Sequence, residues 1–444
     1  MRKDLSERLR AIVRQSPDRP AVRELTFEPD VDTPNTWRAG PSGPAELADA
    51  FGGTAIEDGA AHLVVIDRVY ESTQSHGRWR IDACRPTMDA PLGIFDKKAA
   101  SAPDWSSKPV FFDTETTGLS GGAGTIAFLA GLGWFEEGGF RVRQWLLTSQ
   151  AGERLLLKEL GAAVDAASLL VSYNGRSFDV PLMDMRWAYH RQPSPFDDMP
   201  HFDMLPSARK LWKGRENLSD PGGESSCSLS TLERDVLGFH RVGDVPGFEI
   251  PARYFQFLRT GDHRLLQGVL DHHRHDIVSL AVLMSYALRL AQHGPDQCRD
   301  DNEVVALGRV YERAGLAERA LKAFDRASLS SDRYVRAQAF SRLGLIHRRE
   351  SRHDEAARAW RGVIEAAGGR RSLFALEREA TQALAIHHEH RANDLDAAKK
   401  YAETMKSLSS GRAAADVSHR LARLERKLSE EKKKGDPKVA PLLE

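Results

Sequence analysis

The sequence predicts an α/β domain followed by an all-α domain of repeated helices. Its sheet is expected to be mixed, with three antiparallel first strands and helices packed on it. Three observations support this fold class. Between residues 106 and 295, strand-like runs alternate with helical segments. The first three runs are joined by connections too short for a parallel crossover. From residue 301 onward the pattern is helical, and a set of positions recurs after 36 and then 41 residues.

Composition limits the function classes. The 444 residues suffice for about three domains, and 41% hydrophobic residues supply a core. Lys and Arg total 63, as do Asp and Glu, so any nucleic-acid partner must be bound by local basic patches. The three cysteines are far apart, which excludes a disulfide framework and predicts a reducing cytoplasm. An N-terminus without an apolar signal region and the lack of an eighteen-residue apolar run predict a cytoplasmic protein without a membrane span.

Residues 1–105 are the least informative segment. A helix-like start is followed by the Pro/Gly-rich stretch "EPDVDTPNTWRAGPSGP" and then by two strand-like runs, "HLVVIDRVY" and "GRWRID". We interpret this segment as an N-terminal extension of unknown role.

The α/β domain is predicted over residues 106–295. Its first three strands are "KPVFFDTE", "GTIAFLAGLGWFEE" and "FRVRQWLLTS", the last two joined by a tight turn. The helix "GERLLLKELGAAVDAA", the strand "SLLVSYN" and the helix "DVPLMDMRWAYHR" follow, and "PHFDML" is a short fifth strand. A long helix, "HRLLQGVLDHHRHDIVSLAVLMSYALRLAQH", ends the domain.

Residues 300–410 contain the helical repeats. Small and aromatic residues recur in the same order: Leu307, Gly308, Tyr311, Ala320 and Phe324; then Leu343, Gly344, His347, Ala356 and Trp360; then Leu384, Ala385, His388, Ala397 and Tyr401. This pattern resembles the tetratricopeptide repeat, and the alternative is a generic helical bundle. Residues 411–444 are predicted to form a charged helix and a disordered tail.

Four carboxylates border the predicted buried elements. Asp113 and Glu115 end the first strand and point to one side of the sheet. Asp179 begins a helix and Asp276 lies on the long helix. Two carboxylates about 4 Å apart repel by roughly 4 kcal/mol at an effective dielectric near 20, so four that converge need cations. Oxygen ligands favour Mg²⁺ or Mn²⁺, and a pair of such ions suits phosphodiester hydrolysis.

The motifs "FDTETTGL", "SYNGRSFD" and "HHRHD" resemble those of the DEDD 3′→5′ exonuclease superfamily, which has a ribonuclease H-like fold. With "TTGLSGGAGTIAFLAGLG", they are most similar to the YprB-type ribonuclease H-like proteins of bacteria. The resemblance implies that Asp113, Glu115, Asp179 and Asp276 bind two Mg²⁺ or Mn²⁺ ions. It also implies 3′→5′ hydrolysis of DNA or RNA.

The general base departs from the superfamily pattern, which has a His five residues before the last Asp or a Tyr four before it. Here those positions hold Asp271 and His272. Residues four apart share a helix face, so we predict that His272 is the catalytic base. His273 and His275 are alternatives, and His272 acting only to orient the site is another.

Five further residues are candidates for substrate binding. Asn174, with Gly175, either admits a nucleic-acid backbone or forms a turn. Phe178 either stacks on a terminal base or belongs to the core, and core is favoured. Arg209, Lys210 and Lys213 surround Trp212 and form either a strand-binding groove or a solvated face.

Two nearby residues are assigned to helix caps instead. Asp203 is predicted to cap a helix or to support the acidic cluster. Glu233, three residues after Ser230, is predicted to complete a capping box.

The main hypothesis is a metal-dependent 3′→5′ exonuclease acting on a single-stranded end, whose repeats bind a protein partner or hold substrate. The alternatives are a nucleic-acid-binding scaffold with little or no catalysis and a structure-specific endonuclease.

Overall fold

The structure, a computed structural model, describes residues 43–102, 104–118, 124–213, 227–408 and 412–434. The predicted helix-like start, the Pro/Gly-rich stretch up to residue 42 and the predicted tail beyond residue 434 lie outside these ranges.

Seven of the nine described strands form one mixed sheet. The strands are β1 (Thr54–Asp58), β2 (Ala61–Glu71), β3 (Ser75–His76), β4 (Trp79–Arg80), β5 (Pro109–Thr116), β6 (Ala127–Glu136), β7 (Gly139–Leu147), β8 (Leu169–Ser172) and β9 (His201–Asp203). Their order in the sheet is β1-β2-β7-β6-β5-β8-β9, and β3 pairs with β4 separately. β5, β6 and β7 are mutually antiparallel, whereas β8 and β9 run parallel to β5. The mixed sheet with three antiparallel strands is therefore confirmed.

Two strands of this sheet come from the segment that we interpreted as an extension. β2 pairs with β7 from Leu63 opposite Leu147 to Glu71 opposite Gly139, and β1 forms the edge. Residues 63–66 of β2 are all buried, because helices cover this end of the sheet. The sheet thus begins well before residue 106, and the domain boundaries remain a prediction.

The helices pack on both faces of the sheet and then continue alone. They are α1 (Pro44–Phe51), α2 (Glu153–Val164), α3 (Asp179–Tyr189), α4 (Met204–Trp212), α5 (Leu229–Leu232), α6 (Ile250–Thr260), α7 (Arg264–His293), α8 (Asp301–Ala314), α9 (Ala317–Ala327), α10 (Arg333–Arg349), α11 (His353–Ala367), α12 (Phe374–His390), α13 (Leu395–Ser407) and α14 (Arg412–Lys434). A π-helical turn, Glu233–Leu237, follows α5. Among the residues that the structure describes, no helix is long and apolar enough to cross a membrane.

Helix α7 connects the two hydrophobic cores. Leu266, Val269 and Leu270 belong to the core that also contains Phe112 of β5 and the helix α2. From Ile277 onward the helix belongs to the other core, which contains Phe111 of β5 and the first repeat helices. The polar turn at residues 271–276 lies at this change of core. The sequence places its charged and histidine side chains where neither core requires an apolar one.

The helical region repeats one packing contact. A Cβ atom on Gly308 would lie 2.7 Å from the ring of Phe324, and one on Gly344 would lie 2.3 Å from Nε1 of Trp360. Each glycine of a first helix therefore admits the aromatic ring of the second helix. At the third pair His388 stacks on Tyr401 instead, with ring centroids 5.4 Å apart. The helical region is observed, and its assignment as tetratricopeptide repeats remains a prediction.

Buried polar groups fix both ends of the helical region. At the near end, Glu303 of α8 accepts hydrogen bonds from Trp212 Nε1 and the Tyr286 hydroxyl, each at 2.6 Å. At the far end, the buried Glu389 of α12 binds three cations of α14 at 2.7–3.3 Å: Arg420, Arg423 and Lys427.

Candidate metal and nucleic-acid site

Strand β5 carries the first two carboxylates to the face of the sheet that packs on the second half of α7. Phe111 lies in the core on this face, whereas Val110 and Phe112 lie in the core on the other. Side chains alternate along a strand, so Asp113 and Glu115 follow Phe111 on the α7 side. Their side chains keep 21% and 16% exposure. The strand therefore holds both carboxylates at the rim of a core, open to a ligand.

The other two predicted carboxylates reach the same place from separate helices. Asp179 is the first residue of α3, and its Oδ1 accepts a hydrogen bond of 2.5 Å from the hydroxyl of Thr114, between the two β5 acids. Asp276 lies on α7, where Glu115, His272 and Asp276 each offer a ligand atom within 4.8 Å of the others. These three residues form a group that could hold a metal ion.

The electrostatics of the cluster reflect crowding of like charge. Burial, followed by repulsion from Asp276 and Asp179, raises the pKa values of Asp113 and Glu115 well above their usual range. Burial also raises the pKa of Asp179 to about 6, although the Thr114 hydrogen bond opposes the shift. Desolvation and a neighbouring carboxylate both disfavour the charged form. A cation among these groups would relieve both effects.

Arg241 is the internal cation that the sequence analysis did not identify. Its Nε and one terminal nitrogen each donate a 2.6 Å hydrogen bond to Glu233, and it also donates to Asp276. The side chains of Arg241 and Glu233 are only 7% and 1% exposed. Burial opposes the charge of Arg241, but Glu233 and Asp276 together raise the pKa of the guanidinium.

Glu233 therefore does not cap a helix, and the predicted capping box is wrong. The hydroxyl of Ser228 accepts from the backbone N–H of Thr231 and caps α5 instead. Glu233 accepts a hydrogen bond from the buried Ser279, whose hydroxyl is 2.7 Å from Nε2 of His76. The local sequence could not reveal this role, because both partners of Glu233 come from distant segments.

The three neighbouring histidines of α7 have different surroundings. His272 directs Nε2 toward the cluster, 3.4 Å from Asp276 Oδ2 and 3.9 Å from Glu115 Oε1. His273 is fully buried, with Nε2 3.0 Å from the backbone carbonyl of Asp113 and Nδ1 2.9 Å from Gln144. Burial lowers the pKa of His273 to about 4, and it also lowers that of His275 to about 4. His275 faces Phe239.

Asp244 orients His272. Its Oδ1 lies 2.8 Å from Nδ1 of the imidazole, shorter than the 3.2 Å between that nitrogen and Arg241. A proton on Nδ1 that is donated to Asp244 leaves the lone pair on Nε2, on the side of Glu115 and Asp276.

Asp203 organises the loop before Asp179. It accepts from the backbone N–H of Leu205, which caps α4 as predicted, and from the N–H groups of Asn174 and Arg176. Asn174 has a φ of 66°, in the left-handed region. Gly175 has a different reason: a Cβ there would lie 2.5 Å from the Ser172 hydroxyl. Both residues form a tight turn beside the cluster.

The remaining candidates divide between surface and core. Phe178 is 61% exposed, so its favoured assignment to the core is wrong. Arg209 and Lys213 are exposed on α4 and Lys210 is half-buried, with its ammonium 3.3 Å from the carbonyl of Phe95. Trp212 is buried against α8 and cannot stack on a base.

The donor set fits hard divalent ions. Carboxylate oxygens and one imidazole nitrogen suit Mg²⁺ or Mn²⁺. Counting the four cluster acids and Glu233, five carboxylates share the single charge of Arg241. Arg241 bonds Glu233 twice, which leaves most of the cluster charge uncompensated.

Comparison with known proteins agrees with this geometry. The RNase_H superfamily model matches residues 110–288. The chain is also 32% identical over 328 residues to the uncharacterized protein YprB of Bacillus subtilis (strain 168), across 72% of this chain and 75% of that protein. The chain belongs to the YprB family of the ribonuclease H superfamily.

Membership of the YprB family confirms the ribonuclease H-like resemblance, and it suggests a nuclease-like function with nucleic-acid binding and divalent metals. Among solved structures, the family B DNA polymerase from the hyperthermophilic archaeon Pyrobaculum calidifontis shows 14% identity and a TM-score of 0.30, across 47% of this chain and 29% of its own. That similarity is too low to support an inference.

Proposed function

We propose that the protein is a divalent-metal-dependent nuclease that removes nucleotides from the 3′ end of single-stranded DNA or RNA. One observation carries the proposal: carboxylates from β5, α3 and α7 converge so closely that the pKa values of Asp113, Glu115 and Asp179 all rise. Maintaining such a cluster costs folding free energy, which is offset when it binds cations that serve a reaction.

The residues that would hold two Mg²⁺ or Mn²⁺ ions are Asp113, Glu115, Asp179 and Asp276. When bound, such ions offset the carboxylate charge and stabilise the negative charge that develops on the phosphate. His272 presents a proton-accepting Nε2 beside these acids, because Asp244 holds the opposite ring nitrogen. It is therefore placed to take the proton of an attacking water. The exposed ring of Phe178 is available to stack on the terminal base.

The test is the length distribution of products from matched, 5′-labelled DNA and RNA single strands. With Mn²⁺ or Mg²⁺ we expect a ladder that shortens one nucleotide at a time from the 3′ end, and EDTA should stop it. Asp113→Asn should abolish the ladder. Asp271→Asn is the matched control, because Asp271 lies on α7 but pairs with Arg274 at 2.7 Å outside the cluster. The proposal fails if the wild-type protein leaves both strands intact with either metal.

One observation favours the scaffold alternative. The ion pair between Arg241 and Asp276 already engages one of the four cluster acids. A protein that binds both strands but cleaves neither would support this reading. Internal fragments without a ladder would instead support an endonuclease.

A further inference from the structure

A row of basic side chains begins on α4 and continues across the first helices of the repeat region. We call it the basic stripe; its members are Arg209, Lys210, Lys213, Arg309, Arg313 and Arg342. The chain as a whole has no net charge, so a concentration of like charge at one place is a local property of the fold.

Helix α4 joins the stripe to the candidate site. Its N-terminus is capped by Asp203, which also holds the loop leading to Asp179. The helix has nine residues, which is about 13 Å at 1.5 Å per residue. Arg209, Lys210 and Lys213 lie at its far end. A strand that leaves the acidic cluster along α4 would reach these cations after about that distance.

The stripe then passes from α4 to α8. The two helices are held together by the buried hydrogen bond between Trp212 and Glu303. Burial and, after it, the charge of Arg313 lower the pKa of Lys210. Arg313 is exposed, so the two cations are close neighbours at the junction.

From α8 the stripe continues to α10. A terminal nitrogen of Arg309 donates a 2.6 Å hydrogen bond to Gln338, and its Nε has no hydrogen-bond partner among the described residues. Burial and then Arg342 lower the pKa of Arg309. Glu312 partly offsets this charge through Arg342 at 3.7 Å and Arg349 at 2.8 Å. The stripe remains an excess of cations over acids.

An exposed aromatic ring accompanies the stripe. Tyr334 is 50% exposed and lies four and eight residues before Gln338 and Arg342, on the same face of α10. Cations that follow a backbone, combined with aromatic rings that stack on bases, are the features of single-strand binding surfaces. An acidic protein segment would use the cations but would not need the ring.

We infer that the basic stripe binds the single-stranded nucleic acid that leads into the acidic cluster, so that the first repeat helices hold substrate. This inference rests on the proposed function for its substrate class. It assigns the first repeat helices a direct role in strand binding. The cation and ring positions predict contacts with the phosphate backbone and little dependence on base sequence.

The test measures binding separately from cleavage. The full chain carrying Asp113→Asn, in EDTA, is titrated against a 5′-fluorescent 20-nucleotide strand by anisotropy at several salt concentrations. Adding Arg313→Glu and Arg342→Glu should weaken binding at least tenfold. It should also reduce the slope of log K against log salt by about 1.4, or 0.7 for each lost phosphate contact.

The matched control is the pair Arg326→Glu and Arg358→Glu on the second helices α9 and α11, which should leave the affinity unchanged. Arg313→Gln with Arg342→Gln tests the same loss without reversing charge, and thermal melting verifies folding. Unchanged affinity in both stripe variants would overturn the inference. Equal competition by polyaspartate would also overturn it, in favour of an acidic protein partner.

Cleavage of a trinucleotide distinguishes this inference from the proposed function, because so short a substrate reaches only the acidic cluster. If the stripe variants, carrying a native Asp113, cleave it as the wild type does but lose the long strand, both ideas hold. If no protein cleaves it but the binding losses occur, the nuclease proposal fails and the stripe stands.

Discussion

Removing Arg241 should destabilise the protein more than removing Arg241 and Glu233 together. In the metal-free protein, Arg241→Gln leaves Glu233 with its hydrogen bond from Ser279 but without its counter-charge. The Glu233 side chain is 1% exposed and the lost contacts are two hydrogen bonds of 2.6 Å. At about 4 Å between charge centres and an effective dielectric near 20, the pair contributes about 4 kcal/mol. Breaking one side of a buried ion pair typically costs about 3–5 kcal/mol.

Glu233→Gln alone should cost less, about 1–3 kcal/mol, because Arg241 keeps its ion pair with Asp276. The double variant contains no unpaired buried charge at these two positions. We expect its cost to be about 1–2 kcal/mol, smaller than that of Arg241→Gln alone.

Urea unfolding followed by circular dichroism, with EDTA present throughout, measures all four proteins of this double-mutant cycle. EDTA is needed because an ion bound at Asp276 would contribute to the same free energy. Equal m-values verify that the unfolded states are comparable. The reasoning is refuted if the two single costs add to the double cost within about 0.5 kcal/mol, or if Arg241→Gln costs less than 1 kcal/mol.

Three further predictions concern the site and the ends of the fold. His272→Ala should reduce the rate of strand cleavage by roughly 10²–10⁴, and Asp244→Asn by about 10–100-fold because it only orients the ring; an unchanged rate in single-turnover assays would exclude the base role. Gly131→Ala should cost about 1–3 kcal/mol of unfolding free energy, since its Cβ would lie 2.3 Å from His273. Gly161→Ala in the open part of α2 should stabilise by up to about 1 kcal/mol, and equal melting temperatures for the two variants would contradict the packing. Burial opposes the charge of Glu389, but Arg423 and Lys427 lower its pKa below the usual 4.5. The stability it contributes is therefore present above pH 4.5 and is lost as pH falls through the lowered value, so hydrogen exchange in α14 should rise below pH 4.5 in the wild type and already at pH 7 in Glu389→Gln.

Local pattern sufficed for the elements that hold the four carboxylates. The apolar run before Asp113 and the 3.6-residue spacing around Asp276 gave β5 and α7 because each is decided by burial along a few turns or residues. The placement of the four acids together followed from motif resemblance, and their roles as ligands remain a prediction. His272 was selected by its i, i+4 relation to Asp276, and it does face the cluster.

Features that depend on distant partners could not be obtained in this way. Arg241 lies in a loop without periodicity, and its partners Glu233 and Asp276 are 8 and 35 residues away. Phe178 was assigned to the core from residue type alone, although the tight turn before α3 leaves it on the surface. Strand β2 was recognised as strand-like, but its pairing with β7 is set by tertiary contacts that no local signal encodes.

The position of α7 in both cores constrains how this chain can vary in length. The second half of α7 packs in the same core as α8, α9 and α10, so a cut near residue 300 would expose one side of a 30-residue helix. Gain or loss of helical units during evolution is therefore easiest beyond α11, where the packing clusters are small and separate. Homologues with shorter or longer arrays should differ at that distal end while keeping the first two helix pairs.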